Sequence, residues 1–315
     1  MPPNEGPSHR IWSQLPEGSR DVLGRTLAPT DLQSLLLDVA RERAATVTPA
    51  ALTQRWDSNR FVRPAGTDPR RLSALEARLW QLLPGDFDGV ELSPVTPLGT
   101  CAALGAADQQ RVVTTMRNSE VVSDHTNVLA LEAARRRRAE PDAPVHLAAC
   151  HRVLRAQNFG PGASSHFRLF ALVSSARDQG SGRTEAALLA AHLTYWAKVL
   201  ATFVPDRQPV LEYSVFDHPV LDERVADTVL PAVEADGGTS GTVDLVADPG
   251  RTRARGYYTA GALLIKAAGD ELGDGGFTDW TAQLLADRKE RCLISCLSTE
   301  GLLGLSAESQ GPDAP

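Results

Sequence analysis

Residues 151–170 read HRVLRAQNFGPGASSHFRLF. Arg155 precedes a loop rich in glycine, and His166, Phe167 and Arg168 follow it. An arginine held on a rigid strand presents a fixed fork of donors to a phosphate. An aromatic ring offers its face to a planar base. The same residues also describe a glycine-turned hairpin with a surface arginine. The stretch alone leaves both readings open. Upstream, Asp124 and Thr126 supply a carboxylate and a hydroxyl, both acceptors for an ammonium group. Their spacing by itself says only that a helix begins there. Downstream, RTRARGYYTAG sets Arg253 four residues before the Tyr257–Tyr258 pair. Read locally, it is a strand entered through a basic turn.

The elements that must position these residues follow from hydrophobic periodicity. PVHLAACHRVLR reads as a long strand and HFRLFALVSS as its partner across the loop. Thr126 is the expected cap of a helix, NVLALEAARRRR, whose terminal arginines suit the helix dipole and read as a solvated end. DPRRLSALEARLWQLL predicts a helix over 68–83, followed by a strand, DGVELSP, ending at Pro94. RVVTTMR and EVVS are strand-like. Residues 184–203 form an amphipathic helix, and a proline- and acid-containing helix ends near 235. PVLEYSVFD, GTVDLVA, GYYTAGALLIKA and RCLISCL predict strands, with a helix over FTDWTAQLLADRK. Residues 11–65 predict a small helical extension, with Thr30 capping one helix and Thr48-Pro49 opening another. The tails, 1–10 and 306–315, are expected to be disordered, leaving a core over 66–305. Successive strands with interposed helices predict an α+β fold, a mostly antiparallel sheet flanked by helices.

Composition narrows the function. The 315 residues are 42% hydrophobic and 23% charged, with a net charge of −7. That balance argues against a general nucleic-acid binder. No apolar run reaches the roughly 18–20 residues of a membrane span, and the N-terminus lacks a signal pattern, so a cytoplasmic protein is expected. Cys101, Cys150, Cys292 and Cys296 form no zinc spacing. Cys292 and Cys296 share one face of a strand and read as buried free thiols. No metal held by protein side chains alone is expected. Neither a dinucleotide-binding GxGxxG nor a P-loop is present.

The order of these segments resembles the class II aminoacyl-tRNA synthetase core, most closely histidyl-tRNA synthetase and its regulatory paralogue in histidine biosynthesis. The resemblance covers about 68–304. DGVELSPVTPLGT resembles the first motif, with Pro94 or Pro97 as its proline, which implies a homodimer. VVSDHTNVLAL resembles the segment that holds the substrate's α-ammonium group, here through Asp124 and Thr126. The opening stretch resembles the second motif. Arg155 matches its arginine on the α-phosphate of ATP, and Phe167 its adenine-stacking ring. Gln157 replaces the family's glutamate and is expected to bond the adenine amino group. In RTRARGYYTAG, Arg253 matches a catalytic arginine, and Tyr257 and Tyr258 match substrate-pocket tyrosines. Arg255-Gly256 departs from the family's leucine and aspartate. The third motif's glutamate-arginine is here Glu300-Gly301, so its γ-phosphate arginine is absent.

The resemblance implies ATP, and Mg²⁺ bridging its phosphates with Glu300 as the nearest carboxylate. The expected function is activation of an amino acid, or a related amine-bearing carboxylate, with ATP and its transfer to a non-tRNA acceptor. The alternative is a non-catalytic paralogue, an amino-acid-binding regulatory or partner subunit. A tRNA substrate is disfavoured by the acidic charge and by the lack of an anticodon-binding segment before the chain stops.

Overall fold

A computed structural model describes residues 7–105, 108–160, 164–237 and 241–308. Its strands are β1 (Asp88–Gly89), β2 (Val95–Pro97), β3 (Ser119–Val121), β4 (Val145–Leu154) and β5 (His166–Arg177). They continue with β6 (Val210–Val215), β7 (Asp244–Ala247), β8 (Gly261–Ala267), β9 (Asp270–Thr278) and β10 (Glu290–Ser298). The α-helices are α1 (Pro7–Trp12), α2 (Ser19–Asp21), α3 (Pro29–Ala45), α4 (Pro49–Ser58), α5 (Pro69–Leu82) and α6 (Thr100–Gly105). The later ones are α7 (His125–Ala139), α8 (Arg183–Phe203), α9 (Pro219–Arg224), α10 (Leu230–Gly237), α11 (Trp280–Leu285) and α12 (Thr299–Glu308).

Eight strands form one sheet in the order β1-β4-β5-β10-β9-β8-β6-β7, and β2 pairs with β3 separately. Only the outer pairings β1/β4 and β6/β7 are parallel. All the inner ones are antiparallel, which agrees with the predicted fold class.

Alternation along the strands sends side chains to two faces. Phe170, Leu172, Leu293 and Leu297 meet Leu75 and Leu79 of α5 and the apolar side of α8. Ala171, Val173, Cys292 and Ile294 meet Leu129, Ala130 and Ala133 of α7. The 21-residue α8 has the length and composition of a membrane span, which the sequence reading did not register. It is the core helix of the first face, with Leu193, Tyr195, Trp196 and Leu200 fully buried.

Several expectations change. α7 is capped by Asp124, whose carboxylate accepts from the Thr126 N–H, so Thr126 lies in the first turn and is not the cap. α3 begins at Pro29, after Ala28, which displaces Thr30 as its cap. Thr48 does cap α4, accepting from Ala51 N–H. The arginine run is not a solvated end throughout. Arg137 is buried and makes a bidentate pair with buried Glu290, at 3.0 and 2.8 Å. The expected strand DGVELSP keeps only two residues in the sheet, and RVVTTMR, which follows a 3-10 turn over Gln109–Arg111, is reduced to an isolated bridge from Thr114 to Glu120. Tyr257 and Tyr258 precede their strand, and β9 is an additional strand where a helix lead-in was expected. Residues 7–10 and 306–308, expected within the tails, are helical; the rest of both tails lies outside the described residues.

The N-terminal helices bury no residue in α2, α3 or α4. The following segment does reach the core. Arg60 donates to the carbonyls of Ala156 and Gln157 and to the Ser165 hydroxyl. The Arg63 carbonyl accepts from His166 Nε2 at 2.6 Å.

Candidate functional site

The site lies on the α7 face of the sheet. Asp124 ends the turn before α7, and its Oδ1 accepts from the Thr126 N–H (3.0 Å) and hydroxyl (2.7 Å). Those bonds fix the carboxylate and leave Oδ2 pointing toward Arg155 Nη2 at 3.9 Å. Arg155 follows β4 and is steadied by donating from Nε to the Ser123 carbonyl (2.9 Å). Its guanidinium carbon sits 5.3 Å from the centre of the Phe167 ring, a cation–π distance. Phe159 meets the same ring edge to face at 5.9 Å.

The tyrosine pair arrives on a turn. Ala254 and Gly256 both take left-handed backbone angles (φ 63° and 88°), and the Ala254 carbonyl accepts from Tyr257 and Tyr258 N–H. Tyr258 then lies over β9 and donates to Asp274 Oδ2 at 3.2 Å. Glycine at 276 is what allows this, because a Cβ there would sit 2.4 Å from the Tyr258 ring. Tyr257 packs against Tyr258 and Trp280 at ring distances of 4.9 and 6.0 Å.

These groups close around two small adjoining cavities. One, about 240 Å³, is lined by Asp124, Thr126, Arg155, Arg253, Tyr257 and Tyr258. Six residues singled out in the sequence therefore meet at one place. The other, about 180 Å³, shares Asp124, Arg155 and Tyr257 and adds Gln157. Arg253 is also tied to Glu271 through two bonds of 2.5 and 3.0 Å.

Asp274 was missed, as were Cys296 beside it and Cys101 and Asn127 in the smaller cavity. The available signal was an aspartate directly before Gly275-Gly276 in a segment taken for a helix lead-in. Register places Asp274 opposite Cys296 on the same face. Burial raises the Asp274 carboxyl above the ordinary aspartate range, with the Tyr258 hydrogen bond opposing. Burial also raises both tyrosines and the thiols of Cys101 and Cys296, which keeps them neutral donors rather than nucleophiles. The cavity thus presents two carboxylates, two guanidinium groups and two phenols.

Glu300 lies elsewhere. Its carboxylate accepts from Arg152 Nη2 at 2.8 Å. Arg152 points to the α5 side of the sheet, opposite Arg168, which pairs with Glu76 of α5 at 2.8 Å. Arg155 and Phe167 face the α7 side. His166 completes the Glu300 cluster, its Nδ1 3.0 Å from Arg152 Nη1. At Gly301, a Cβ would point at Ser298 and Leu272, between 3.2 and 3.4 Å away.

The fold has counterparts among solved structures. An ATP phosphoribosyltransferase regulatory subunit/histidyl-tRNA synthetase from Bacillus halodurans C aligns with a TM-score of 0.58 at 12% identity, over 77% of this chain and 82% of that one. The fold is that of a class II aminoacyl-tRNA synthetase core. Apo histidyl-tRNA synthetase from S. aureus gives a TM-score of 0.55 at 17% identity, over 80% of this chain and 71% of that one. A histidine–tRNA ligase subunit from Alicyclobacillus acidocaldarius gives 0.55 at 14%, over 79% and 97%. No family model matches the chain, and no curated protein matches it either. In this synthetase-like core, Pro97 lies on β2 and Pro94 just before it, where its carbonyl accepts from Val122 N–H.

The side chains fit the two halves of an ATP-dependent site unequally. The amine-bearing half is gathered in one cavity. Mg²⁺–triphosphate does not fit the other half. Glu300 is held by a guanidinium on the opposite sheet face, and position 301 carries no cation.

Proposed function

We propose that this protein binds a free α-amino acid in the cavity between α7 and β9, and acts as a regulatory or partner subunit built on a synthetase-like core. The observation that carries this reading is the separation of Glu300 from the cavity: its carboxylate is paired with Arg152 on the other face, while Asp124, Arg155 and the tyrosines stay together. Asp124 Oδ2 accepts from the ligand's ammonium group, with Thr126 holding the carboxylate in place. Arg155 takes the ligand's carboxylate. Two carboxylates against two guanidinium groups suit a zwitterion, because each ligand charge then meets its opposite. One structural neighbour is named as a regulatory subunit, which favours the same role here.

The second reading is activation of the amino acid with ATP and Mg²⁺. It is favoured by Arg155 standing over Phe167, the arrangement a nucleotide clamp needs. On either reading the expected assembly is a cytoplasmic homodimer, with an amino acid rather than tRNA as its ligand.

The deciding experiment pairs calorimetry with pyrophosphate release from Mg²⁺–ATP across the amino acids, without tRNA. Binding without release supports the subunit reading. Amino-acid-dependent release that disappears in Arg155→Ala overturns it in favour of the ligase.

A further inference from the structure

A second, larger cavity lies at the end of the sheet remote from Arg155. Its volume is about 790 Å³, within the range of small-ligand pockets. β10 spans both places: Cys296 faces the candidate site and Cys292 the second cavity, four residues or roughly 13 Å away. Buried Phe216 and Phe277 form its apolar wall, and the Phe216 ring is fixed by the Arg255 guanidinium 5.0 Å from its centre.

The polar groups in this cavity divide into spent and unspent. Both oxygens of Glu290 are taken by Arg137. Arg291 donates to Glu185 Oε1 (2.6 Å) and to Asp178 (2.7 Å). Asp217 faces Arg255 at 3.5 Å, and Asp279 accepts from Gln283 at 2.7 Å. One buried acceptor remains without a partner, Glu185 Oε2, on a residue only 4% exposed, and the Thr278 hydroxyl beside it has only the weak Cys292 thiol as a neighbour. An unpaired buried carboxylate oxygen is costly, and a bound N–H donor relieves that cost. At the mouth the sign reverses. Arg288 is exposed and has no ion-pair partner among the described residues. His218 Nδ1 accepts from Leu221 N–H at 3.1 Å, which leaves Nε2 as the nitrogen that can donate to a ligand.

Donor-seeking groups inside, anion-seeking groups at the mouth and aromatic carbon between them describe one ligand chemistry. We propose that this cavity is a second small-molecule site, for a zwitterionic amino acid with an apolar or aromatic side chain. The ammonium group meets Glu185 and Thr278, the side chain lies on Phe216 and Phe277, and the carboxylate meets Arg288. The assignment is independent of what occupies the Asp124 cavity. The two sites are nevertheless joined by four consecutive residues: Tyr257 and Tyr258 line the first, and Thr259 and Ala260 the second.

Calorimetry on the full chain tests this with L-leucine, L-phenylalanine and N-acetyl-L-phenylalanine as probes. The background is Asp124→Asn, which weakens the other site, and the variants added to it are Ala282→Phe, which fills the cavity from α11, and Arg288→Ala at the mouth. Thermal unfolding checks that each variant folds. The expected result is that Asp124→Asn, weakened at the other site, still binds a free amino acid at this one. Affinity should fall about tenfold or more in Ala282→Phe, in Arg288→Ala and for the acetylated probe. If Ala282→Phe does not fold, exposed Arg288 decides. No heat from either free amino acid at millimolar concentration overturns the proposal. So does binding that is lost in Asp124→Asn, or that Arg288→Ala leaves unchanged in that background. Equal affinity for the acetylated probe overturns the assigned ligand class.

Discussion

Replacing Asp124 with asparagine separates two jobs that one carboxylate performs. As the cap of α7, Asp124 accepts from the Thr126 N–H at 3.0 Å. Asparagine caps helices about as well as aspartate, so that job survives and unfolding free energy should change by less than about 0.5 kcal/mol. The second job is the negative charge offered by Oδ2 toward the cavity. A hydrogen bond to a charged partner contributes about 1.5–3 kcal/mol, which corresponds to roughly a 10- to 100-fold loss of amino-acid affinity in the variant. Asp124→Ala should show the same loss of affinity and, in addition, about 1 kcal/mol less stability from the missing cap. Calorimetric titration measures the first effect and urea unfolding the second. If Asp124→Asn binds the wild type's amino acid with unchanged affinity, the ammonium assignment is wrong. If it unfolds easily while Asp124→Ala does not, the capping argument is wrong.

Three further outcomes follow from the same geometry. Arg137→Leu strands the Glu290 carboxylate in the interior and should cost about 3–5 kcal/mol in urea unfolding; adding Glu290→Leu should recover most of it, and no recovery would contradict the pairing argument. Gly276→Ala pushes a methyl group into the Tyr258 ring, so it should destabilise by about 1–3 kcal/mol and weaken ligand binding, and tight binding with normal stability would show that Tyr258 is not held as described. Burial lowers fully buried His125 to about 4, with Asp124 opposing and His151 reinforcing the shift. Its stabilising contribution is therefore complete above the unfolded value near 6.5 and is lost as pH falls toward 4. The loss is about 3 kcal/mol, and buried His192 adds to it in the same direction. Denaturant unfolding at pH 7.5 and pH 4.5 measures this, and equal stabilities would refute it.

Local pattern fixed much of the architecture. β4 and β5 were legible because ten and twelve residues of apolar, β-branched or aromatic character flank a glycine-rich loop. α8 was legible from its helical spacing. β9 was not, because DELGDGGFT carries three glycines and three acids, the composition of a loop. Its glycines serve close approach, which only the paired strand reveals: a Cβ at Gly275 would lie 2.3 Å from the Ile294 carbonyl oxygen. The fate of Arg137 was equally hidden. Four arginines in a row look alike until the helix is docked and one of them is found to point at β10.

The site shows the same division more sharply. Asp124, Arg155, Arg253 and the tyrosines could be placed together because a linear resemblance preserves order and spacing, and each lies on an element that delivers it to one face. Glu300 sits in the right order too, yet its carboxylate is on the wrong face. Spacing counts residues but does not fix the rotamer or the partner at the end of a strand. A cation at 301 would give Glu300 a reason to turn toward a nucleotide. With glycine there, the nearest unmatched cation is Arg152, one residue out of phase with Val153 and on the α5 side. The 2.8 Å pair forms where the charges are available, and it draws the carboxylate away from the cavity. Restoring Gly301→Arg alone should therefore not restore a triphosphate site. Its side chain would start against Ser298 and Leu272, and Glu300 would still be bound to Arg152. The double change Arg152→Ala with Gly301→Arg removes the competing cation as it adds the missing one. Among single and double variants, it alone should gain measurable Mg²⁺–ATP affinity, and a gain from Gly301→Arg by itself would show that the ion pair does not hold Glu300.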